Sequence, residues 1–271
     1  MGHITGLSLG AGKGSTALSL LLEAEQLPGY IKPDVALFAD TQAEPPHVYE
    51  TLEWLQSRVS WPIIQVSAGD LWTDTWKLIN GKTNPLNVNG NGYVDLPVHG
   101  SEGGLTPRRC TVDYKVAAIR RGYRQFAEAD PPYLQVTQYL GISLDEAHRM
   151  KDSRVRYITN VYPLAVLGWR RRDLAAYLDE NYPGNPVGRS ACFFCPFHSI
   201  AEWRDLRRRY PGLYAEALEI DQGLQNMPKG PFSLHRSMGL ERAMADADLQ
   251  GELWPEEPDH FGNECEGLCR V

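Results

Sequence analysis

The sequence lacks any long apolar segment. In its 271 residues, no uncharged apolar stretch approaches the roughly 18–20 residues that a membrane-spanning helix needs. The best run, Ala17 to Leu22, is interrupted by Ser19 and followed by Glu23. The first residues, MGHITG, also lack the basic region and apolar core of an export signal. We therefore expect neither a membrane protein nor a secreted one, and we expect a cytoplasmic location.

Positive charge and cysteine are also scarce. Lysine and arginine number 27 against 34 aspartates and glutamates, so the net charge is -7 and the isoelectric point is near 5.5. This balance argues against a protein that coats nucleic acid non-specifically, because such binding depends on neutralising phosphates, but it leaves room for a local basic groove. Five cysteines are too few to predict a disulfide scaffold in a chain of this length. Clustered cysteines in a reducing cytosol more often bind metal or do redox chemistry.

Alternating strand and helix patterns fill the first half of the chain. A buried strand over His3–Leu9 is followed by a glycine-rich turn and a helix over Thr16–Glu25, and the apolar run Val35–Ala39 is typical of a parallel strand covered on both faces. Further helices are expected over residues 47–58, 70–79, 112–129, 168–182 and 200–210. Further strands are expected over residues 62–66, 133–142 and 155–161. This order predicts an α/β fold, a doubly wound, Rossmann-like parallel sheet. We expect that α/β domain to cover residues 1–185 and a helical, cysteine-bearing C-terminal extension to cover residues 186–271.

The glycine-rich turn, SLGAGKGST at residues 8–16, joins the first strand to the first helix. Such a turn directs main-chain N–H groups towards a ligand at a helix N-terminus, where phosphate binds without a side-chain cation. Two common phosphate motifs fail here. A dinucleotide fingerprint needs glycine where Ser15 stands, and a Walker A loop needs Ser or Thr directly after Lys13, where Gly14 stands. The alternatives are a phosphate-binding turn of another class and a turn that only links strand to helix.

The turn resembles the PP-loop of the adenine nucleotide α-hydrolase superfamily, in particular that of the phosphoadenylylsulfate (PAPS) reductase family. Four later segments resemble the same family in the same order: FADTQAEPPHVYETLEWL (38–55), RRCTVDYK (108–115), GISLDEAHR (141–149) and YPLAVLGWRRRDLAAYL (162–178). The resemblance covers about residues 5–200 and implies the superfamily's α/β fold. It implies that ATP, or another adenylyl nucleotide such as PAPS, is held by Ser8, Gly10, Ala11, Gly12, Lys13, Ser15, Thr16, Asp40, Thr41, Gly141 and Arg149.

The cysteines allow two kinds of metal site. On spacing alone, the pair in Cys192-Phe-Phe-Cys195 and the tail cysteines Cys265 and Cys269 would suit zinc. The resemblance instead implies a [4Fe-4S] cluster, because iron–sulfur reductases of the family use a cysteine after an arginine and a later C-x-x-C. Cys110, Cys192 and Cys195 match those positions, and Cys269 is the candidate fourth ligand. Thiolases of the same superfamily leave the fourth iron open to carry sulfide.

The resemblance also implies catalytic roles. The tail segment Asn263–Cys269 resembles the family's C-terminal Glu-Cys-Gly-Leu-His, in which the cysteine attacks the sulfate sulfur. Cys265 is therefore either a nucleophile or a metal ligand. Arg108, Arg109 and Lys115 lie beside Cys110 in sequence and are the candidates for holding the sulfate or phosphate. Other basic residues in the neighbouring segment, Arg120 among them, are more simply explained as one solvated helix face.

Three functions remain open at this point. The first is a PAPS-reductase-like oxidoreductase with a thioredoxin-like reductant. The second is an ATP-dependent sulfurtransferase or nucleotidyl-activating enzyme that takes sulfur from a donor and modifies a nucleic acid. The third is a non-catalytic, nucleotide-binding regulatory protein.

Overall fold

Five strands form one parallel sheet in the described part of the chain. The computed structural model describes residues 2–82, 96–101, 103–228, 231–236 and 239–250. The sheet strands are β1 (Gly2–Leu9), β2 (Val35–Ala39), β3 (Ile63–Val66), β5 (Leu134–Leu140) and β6 (Ile158–Val161). Two short strands, β4 (His99–Gly100) and β7 (Phe232–Ser233), pair antiparallel to each other outside this sheet.

The strand order of the sheet is β3-β2-β1-β5-β6, and every neighbouring pair is parallel. The chain leaves β1 first towards β2 and β3, and then returns to the other side of β1 with β5. The order therefore reverses between β1 and β5. In doubly wound sheets the ligand crevice lies outside the carboxyl ends of the strands at that point. The predicted fold class is confirmed.

Helices cover both faces of the sheet. In chain order they are α1 (Lys13–Glu23), α2 (Pro46–Gln56), α3 (Leu71–Ile79), α4 (Ala117–Ala127), α5 (Pro163–Val166), α6 (Arg171–Asn181), α7 (Ile200–Arg209), α8 (Pro211–Gln225) and α9 (Leu240–Gln250). One apolar core joins α1, α2 and α6 to the sheet, and a separate core lies between α4 and the opposite face. Strand β2 is buried along its whole length because both layers cover it, as its apolar run predicts. None of the described helices combines the length and apolarity needed to cross a bilayer.

The predicted elements match observed ones to within a few residues, but α5, α8 and α9 were not predicted, because glycines and prolines after residue 210 were interpreted as an irregular tail. A further difference concerns the type of one helix. The helix expected over residues 112–129 begins with a π-helix, Thr111–Val116, before it continues as α4. A π-helix closes its hydrogen bonds between residues five apart, so residues at that spacing lie nearly on the same side. Periodicity analysis with an α-helical repeat does not detect this change.

The segment after residue 186 packs onto the edge of the α/β layer. Phe193 and Trp203 share an apolar core with Leu71 of α3 and with Tyr114 of the π-helix. The main-chain N–H of Phe193 donates to the carbonyl of Ala43, 2.9 Å away. These contacts bring the C-x-x-C segment to the carboxyl edge of the sheet, beside the loop that follows β2.

Candidate functional site: a glycine turn and a cysteine cavity

The glycine turn begins α1 without a side-chain cap. Gly12 is the N-cap residue, no side chain caps the helix, and its first turn holds no acidic residue. Ala11 adopts a left-handed conformation (φ 57°), which bends the chain sharply before the helix. The Ser15 hydroxyl accepts from the N–H of Gly10 at 3.1 Å, which stabilises the bend from inside. The first helical N–H groups therefore keep the orientation that favours an anion.

Gly141 lies directly against this turn. A Cβ atom at position 141 would come within 2.5 Å of the Ser15 nitrogen and 2.6 Å of its Cα atom, so only glycine allows this approach. Gly141 follows β5, on the other side of the point where the strand order reverses. The structure thus brings Gly141 and the turn together, as the family resemblance implies for a nucleotide site.

Two turn hydroxyls differ in their hydrogen bonding. Ser15 and Thr16 are both fully buried, at 0% exposure. Ser15 is engaged within the turn, but within the described residues the Thr16 Oγ1 atom has no hydrogen-bond partner. A buried hydroxyl without a partner costs free energy that a ligand acceptor would recover. Lys13, at the first helical position, is only partly buried.

Asp40 and Thr41 follow β2 at the same edge. Asp40 Oδ1 accepts from the N–H of Gln42 at 2.7 Å and from the Tyr49 hydroxyl at 2.9 Å. These bonds fix the loop after β2. Burial, and then the Asp40 carboxylate, raise the pKa of Tyr49, so its phenol remains a donor. Thr41 is fully buried and points in the other direction, towards a cysteine.

A buried ion pair lies beside that cysteine. Glu44 Oε1 accepts from Lys115 Nζ at 3.1 Å, and the two side chains are 0% and 5% exposed. Cys192 Sγ is 3.8 Å from the same carboxylate oxygen and 3.3 Å from Thr41 Oγ1. The network joins the loop after β2, the π-helix and the C-x-x-C segment, which are far apart in sequence.

The π-helix explains how Cys110 and Lys115 act together. They are five residues apart, and the π-helical geometry over Thr111–Val116 lets both border one small cavity. Cys192, Cys195 and Arg108 line the same cavity, which has about 20 Å³ of space, roughly that of one water molecule. We call it the cysteine cavity. Every described cysteine lines it.

The electrostatics of the cavity favour the neutral thiol of Cys192. Burial, followed by the Glu44 carboxylate, raises the pKa of Cys192 well above its ordinary value, and Lys115 opposes the shift. A thiolate there therefore needs a further positive charge, which a bound metal centre supplies by deprotonating its ligands.

Two solved structures are similar to this chain at low sequence identity. A PAPS reductase from Candida auris, in a phosphate complex, is 13% identical, with a TM-score of 0.39, over 68% of this chain and 74% of that chain. The U34-tRNA thiolase NcsA from Methanococcus maripaludis, with its [4Fe-4S] cluster, is 10% identical, with a TM-score of 0.40, over 82% of this chain and 72% of that chain. The sequence matches no family model, and no curated protein is significantly similar to it. The likeness concerns the fold, so the residue roles are argued from geometry.

Other predicted site residues lie elsewhere. Arg109 forms an ion pair with Asp113, 3.0 Å apart, whereas its neighbour Arg108 borders the cysteine cavity. Arg149 is buried and paired with Glu146, which also binds Arg171 at 2.7 Å. The predicted tail residues Cys265 and Cys269 lie outside the described residues.

Sequence reasoning missed Glu44 as a site residue. Glu44 stands three residues after Thr41 in a segment that resembles the family, and that spacing was the available signal. The arginines of α7 are paired with carboxylates. Arg207 binds Asp248 of α9 at 2.9 Å, and Arg208 binds Asp205 at 2.7 Å.

The cysteine cavity suits a cluster in its donor chemistry. Thiolates are the usual ligands of iron–sulfur clusters, and Lys115 and Arg108 would offset the negative charge. Among the described side chains, no group of three or more His, Cys, Asp or Glu could hold a single metal ion. The cysteine ligands of a cluster bind different irons, so their sulfur atoms lie farther apart than the ligands of one zinc ion. A zinc site would therefore need Cys265 or Cys269 as further ligands. A cluster would need the cysteine cavity to become larger.

Proposed function

We propose that the protein binds an adenylyl nucleotide at the glycine turn and carries out sulfur redox or sulfur transfer chemistry at the cysteine cavity. The observation that carries this proposal is the convergence of Cys110, Cys192 and Cys195 on one cavity beside the buried Lys115. These cysteines come from segments about 80 residues apart, so the fold, not the sequence spacing, brings them together.

The nucleotide half of the proposal is supported by the edge of the sheet. The glycine turn follows β1, and Thr41, which contacts Cys192, follows the adjacent strand β2. Neighbouring strands are about 4.8 Å apart, so the turn and the cavity share one edge. In this arrangement the α1 N-terminus and Thr16 would hold phosphate, and Asp40 would keep the loop after β2 in place.

The chain's own residues would prepare the sulfur chemistry in three ways. Cys110, Cys192 and Cys195 would hold the cluster, and a bound cluster would supply electrons or bind sulfide. Lys115, positioned by Glu44, would attract the anionic sulfur group. In the reductase form, the Cys265 thiolate attacks the sulfur of PAPS, the sulfur–oxygen bond to the phosphate breaks, and adenosine 3′,5′-bisphosphate leaves. A thioredoxin-like dithiol then supplies two electrons, which release sulfite and leave that dithiol as a disulfide.

A second candidate function is ATP-dependent sulfur transfer to a nucleic acid. The observation that favours it is that three described cysteines, not four, border the cavity. Three ligands would leave one iron open to bind sulfide. The two functions differ in their products, because the transferase releases AMP and pyrophosphate from ATP, whereas the reductase releases adenosine 3′,5′-bisphosphate and sulfite from PAPS.

The decisive experiment measures iron and acid-labile sulfide in protein purified without oxygen. We expect about four irons and four sulfides per chain. Changing Cys110, Cys192 or Cys195 to serine should abolish the brown colour, and Cys265→Ser and Cys269→Ser test whether the tail supplies a fourth ligand. A colourless protein that carries one zinc per chain would contradict the cluster.

The nucleotide site is tested with Thr16→Val. Valine has nearly the same shape as threonine, so the free energy of unfolding should change little without ligand, because the hydroxyl has no described partner to lose. ATP or PAPS should bind about tenfold more weakly, as measured by calorimetry. Ser19→Ala, one turn further along α1, is the control. If Thr16→Val and Ser19→Ala bind ATP or PAPS with equal affinity, the phosphates do not bind at Thr16.

A further inference from the structure

A second cavity lies on the face of the sheet that α4 covers. It has about 130 Å³ of space and shares no lining residue with the cysteine cavity. We call it the α4 cavity. Its floor is a polar stripe across three neighbouring strands near their carboxyl ends, formed by Ser8 of β1, Gln138 of β5 and Asn160 of β6. Buried polar side chains inside a sheet need partners, so such a stripe calls for an explanation.

The amide groups on the floor are held in one orientation. Asn160 Nδ2 donates to the main-chain carbonyl of Lys151 at 2.9 Å, and a carbonyl can only accept. The Asn160 oxygen must therefore face Gln138, whose Nε2 donates to it at 2.9 Å. Gln138 and Ser8 are only 5% and 4% exposed, and no residue in the described ranges donates to Gln138 Oε1. The α4 cavity thus presents Gln138 Oε1, an acceptor of fixed orientation, beside the Ser8 hydroxyl.

The walls and the rim differ in chemistry. The walls are apolar side chains from three elements, namely Val112, Val116, Ile119 and Ile158. The rim carries three cations and one carboxylate: Arg120, Lys151, Arg154 and Asp152. No carboxylate within the described segments forms an ion pair with Arg120 or Arg154. The rim therefore has a net positive charge that an anion would neutralise. Arg120, which the sequence placed on a solvated helix face, instead borders this cavity.

The volume of the α4 cavity further limits which ligands can fit in it. An engineered protein cavity of about 150 Å³ holds one benzene ring, so 130 Å³ is suitable for a single heteroaromatic ring. We propose that the α4 cavity binds a nucleotide unit, with its base against Gln138 and Ser8 and its phosphate at Arg120 and Arg154. Apolar walls contact the faces of the ring, the fixed amide accepts from a ring or exocyclic N–H, and the guanidinium groups bind the phosphate.

Ser8 is the one residue of the glycine turn that lines the α4 cavity, and the N–H groups at the start of α1 do not line it. A nucleotide whose phosphates lie at the α1 N-terminus does not need cations at residues 120 and 154, because main-chain N–H groups there already bind the phosphates. The α4 cavity brings its own cations. It therefore fits a second, independent nucleotide, either free or as one unit of a single strand, and it does not depend on the function proposed above.

The test measures binding of AMP, GMP, CMP and UMP, and of a single-stranded tetranucleotide, by calorimetry. Arg120→Gln and Arg154→Gln should each weaken binding of at least one monophosphate about tenfold. The matched controls Arg121→Gln and Arg156→Gln change neighbouring exposed arginines that do not line the cavity, and they should have no effect. Gln138→Met should weaken the nucleotide but not inorganic phosphate. Tighter binding of the tetranucleotide would identify a strand as the source, and tighter binding of a monophosphate would identify the free nucleotide.

Two variants separate this proposal from the function at the glycine turn. Thr16→Val should weaken ATP binding but should leave unchanged the binding of the monophosphate that Arg120→Gln weakens. If Thr16→Val weakens that monophosphate as much as Arg120→Gln does, the two ligands share one site and the proposal is wrong. It is also wrong if no monophosphate or tetranucleotide binds with a Kd below about 1 mM, or if the cavity variants and the control variants bind equally.

Discussion

The glycine turn and the cysteine cavity meet at one edge of the sheet but are built by opposite means. The turn is continuous in sequence, is formed by main-chain groups, and is fixed by the close approach of Gly141 and by the Ser15 hydroxyl. The cavity is assembled from three distant segments, and the buried charged pair Glu44–Lys115 lies beside it. The turn is therefore sensitive to steric changes, and the cavity is sensitive to changes of charge.

The largest effect is expected at the cavity. Lys115→Met would leave the Glu44 carboxylate buried and uncompensated, which costs about 3–5 kcal/mol. Urea denaturation measures this loss. The double variant Glu44→Gln, Lys115→Met removes both charges and should recover much of it. Arg208→Gln, which breaks the exposed pair with Asp205, should cost less than about 1 kcal/mol. Equal losses of stability for Lys115→Met and Arg208→Gln would show that breaking the buried pair costs no more than breaking the exposed pair.

The next effect is expected at the turn, and it is steric. Gly141→Ala would force a methyl group into main-chain atoms of Gly14 and Ser15. We expect it to lower the free energy of unfolding by about 2–3 kcal/mol and to weaken ATP binding. Gly212→Ala, at a position with open space around it, is the control and should change stability by less than about 1 kcal/mol. A stable Gly141→Ala variant would show that the turn can move away from β5.

A smaller effect should depend on pH and concerns His198, which lies three residues after Cys195. Burial, followed by the charge of Arg189, lowers the pKa of His198 well below its usual value. Below about pH 6.5 the unfolded chain binds a proton that the folded chain does not, so stability decreases as pH falls, by at most about 1.4 kcal/mol per pH unit. Denaturation at several pH values tests this. His198→Gln should flatten the dependence, and the exposed His148→Gln should not.

The smallest effect is expected from one hydroxyl of the turn. Ser15→Ala removes the acceptor for the N–H of Gly10 and should cost about 1 kcal/mol, as measured by thermal or urea unfolding. Ser19→Ala removes only a hydrogen bond to the carbonyl one turn earlier in the same helix, and it should be nearly neutral. A reversed order of the two losses would show that the bend does not need this hydroxyl.

Local features of the sequence predicted the turn and the strands well. The apolar run of β2 and the glycines after β1 carry their structural meaning within a few residues, so the fold class and the position of the turn followed from pattern alone. The Glu44–Lys115 pair joins positions 71 residues apart, and no local rule reports such a contact. The sequence named both Arg108 and Arg109, but no local rule tells that Arg108 borders the cavity while Arg109 pairs with Asp113.

The π-helix has a consequence for how this protein tolerates changes in chain length. A π turn differs from an α turn by one additional residue in the hydrogen-bonded ring. If the full segment closed as an ordinary helix, the five-residue spacing between Cys110 and Lys115 would place the lysine on a different side from the thiol. Deleting a single residue between them would also restore an ordinary helix, but the two side chains would then be four residues apart and would still share one face. Proximity of these two groups thus depends on matching the type of turn to the number of residues between them, and a relative shortened by one residue could keep it with an α turn.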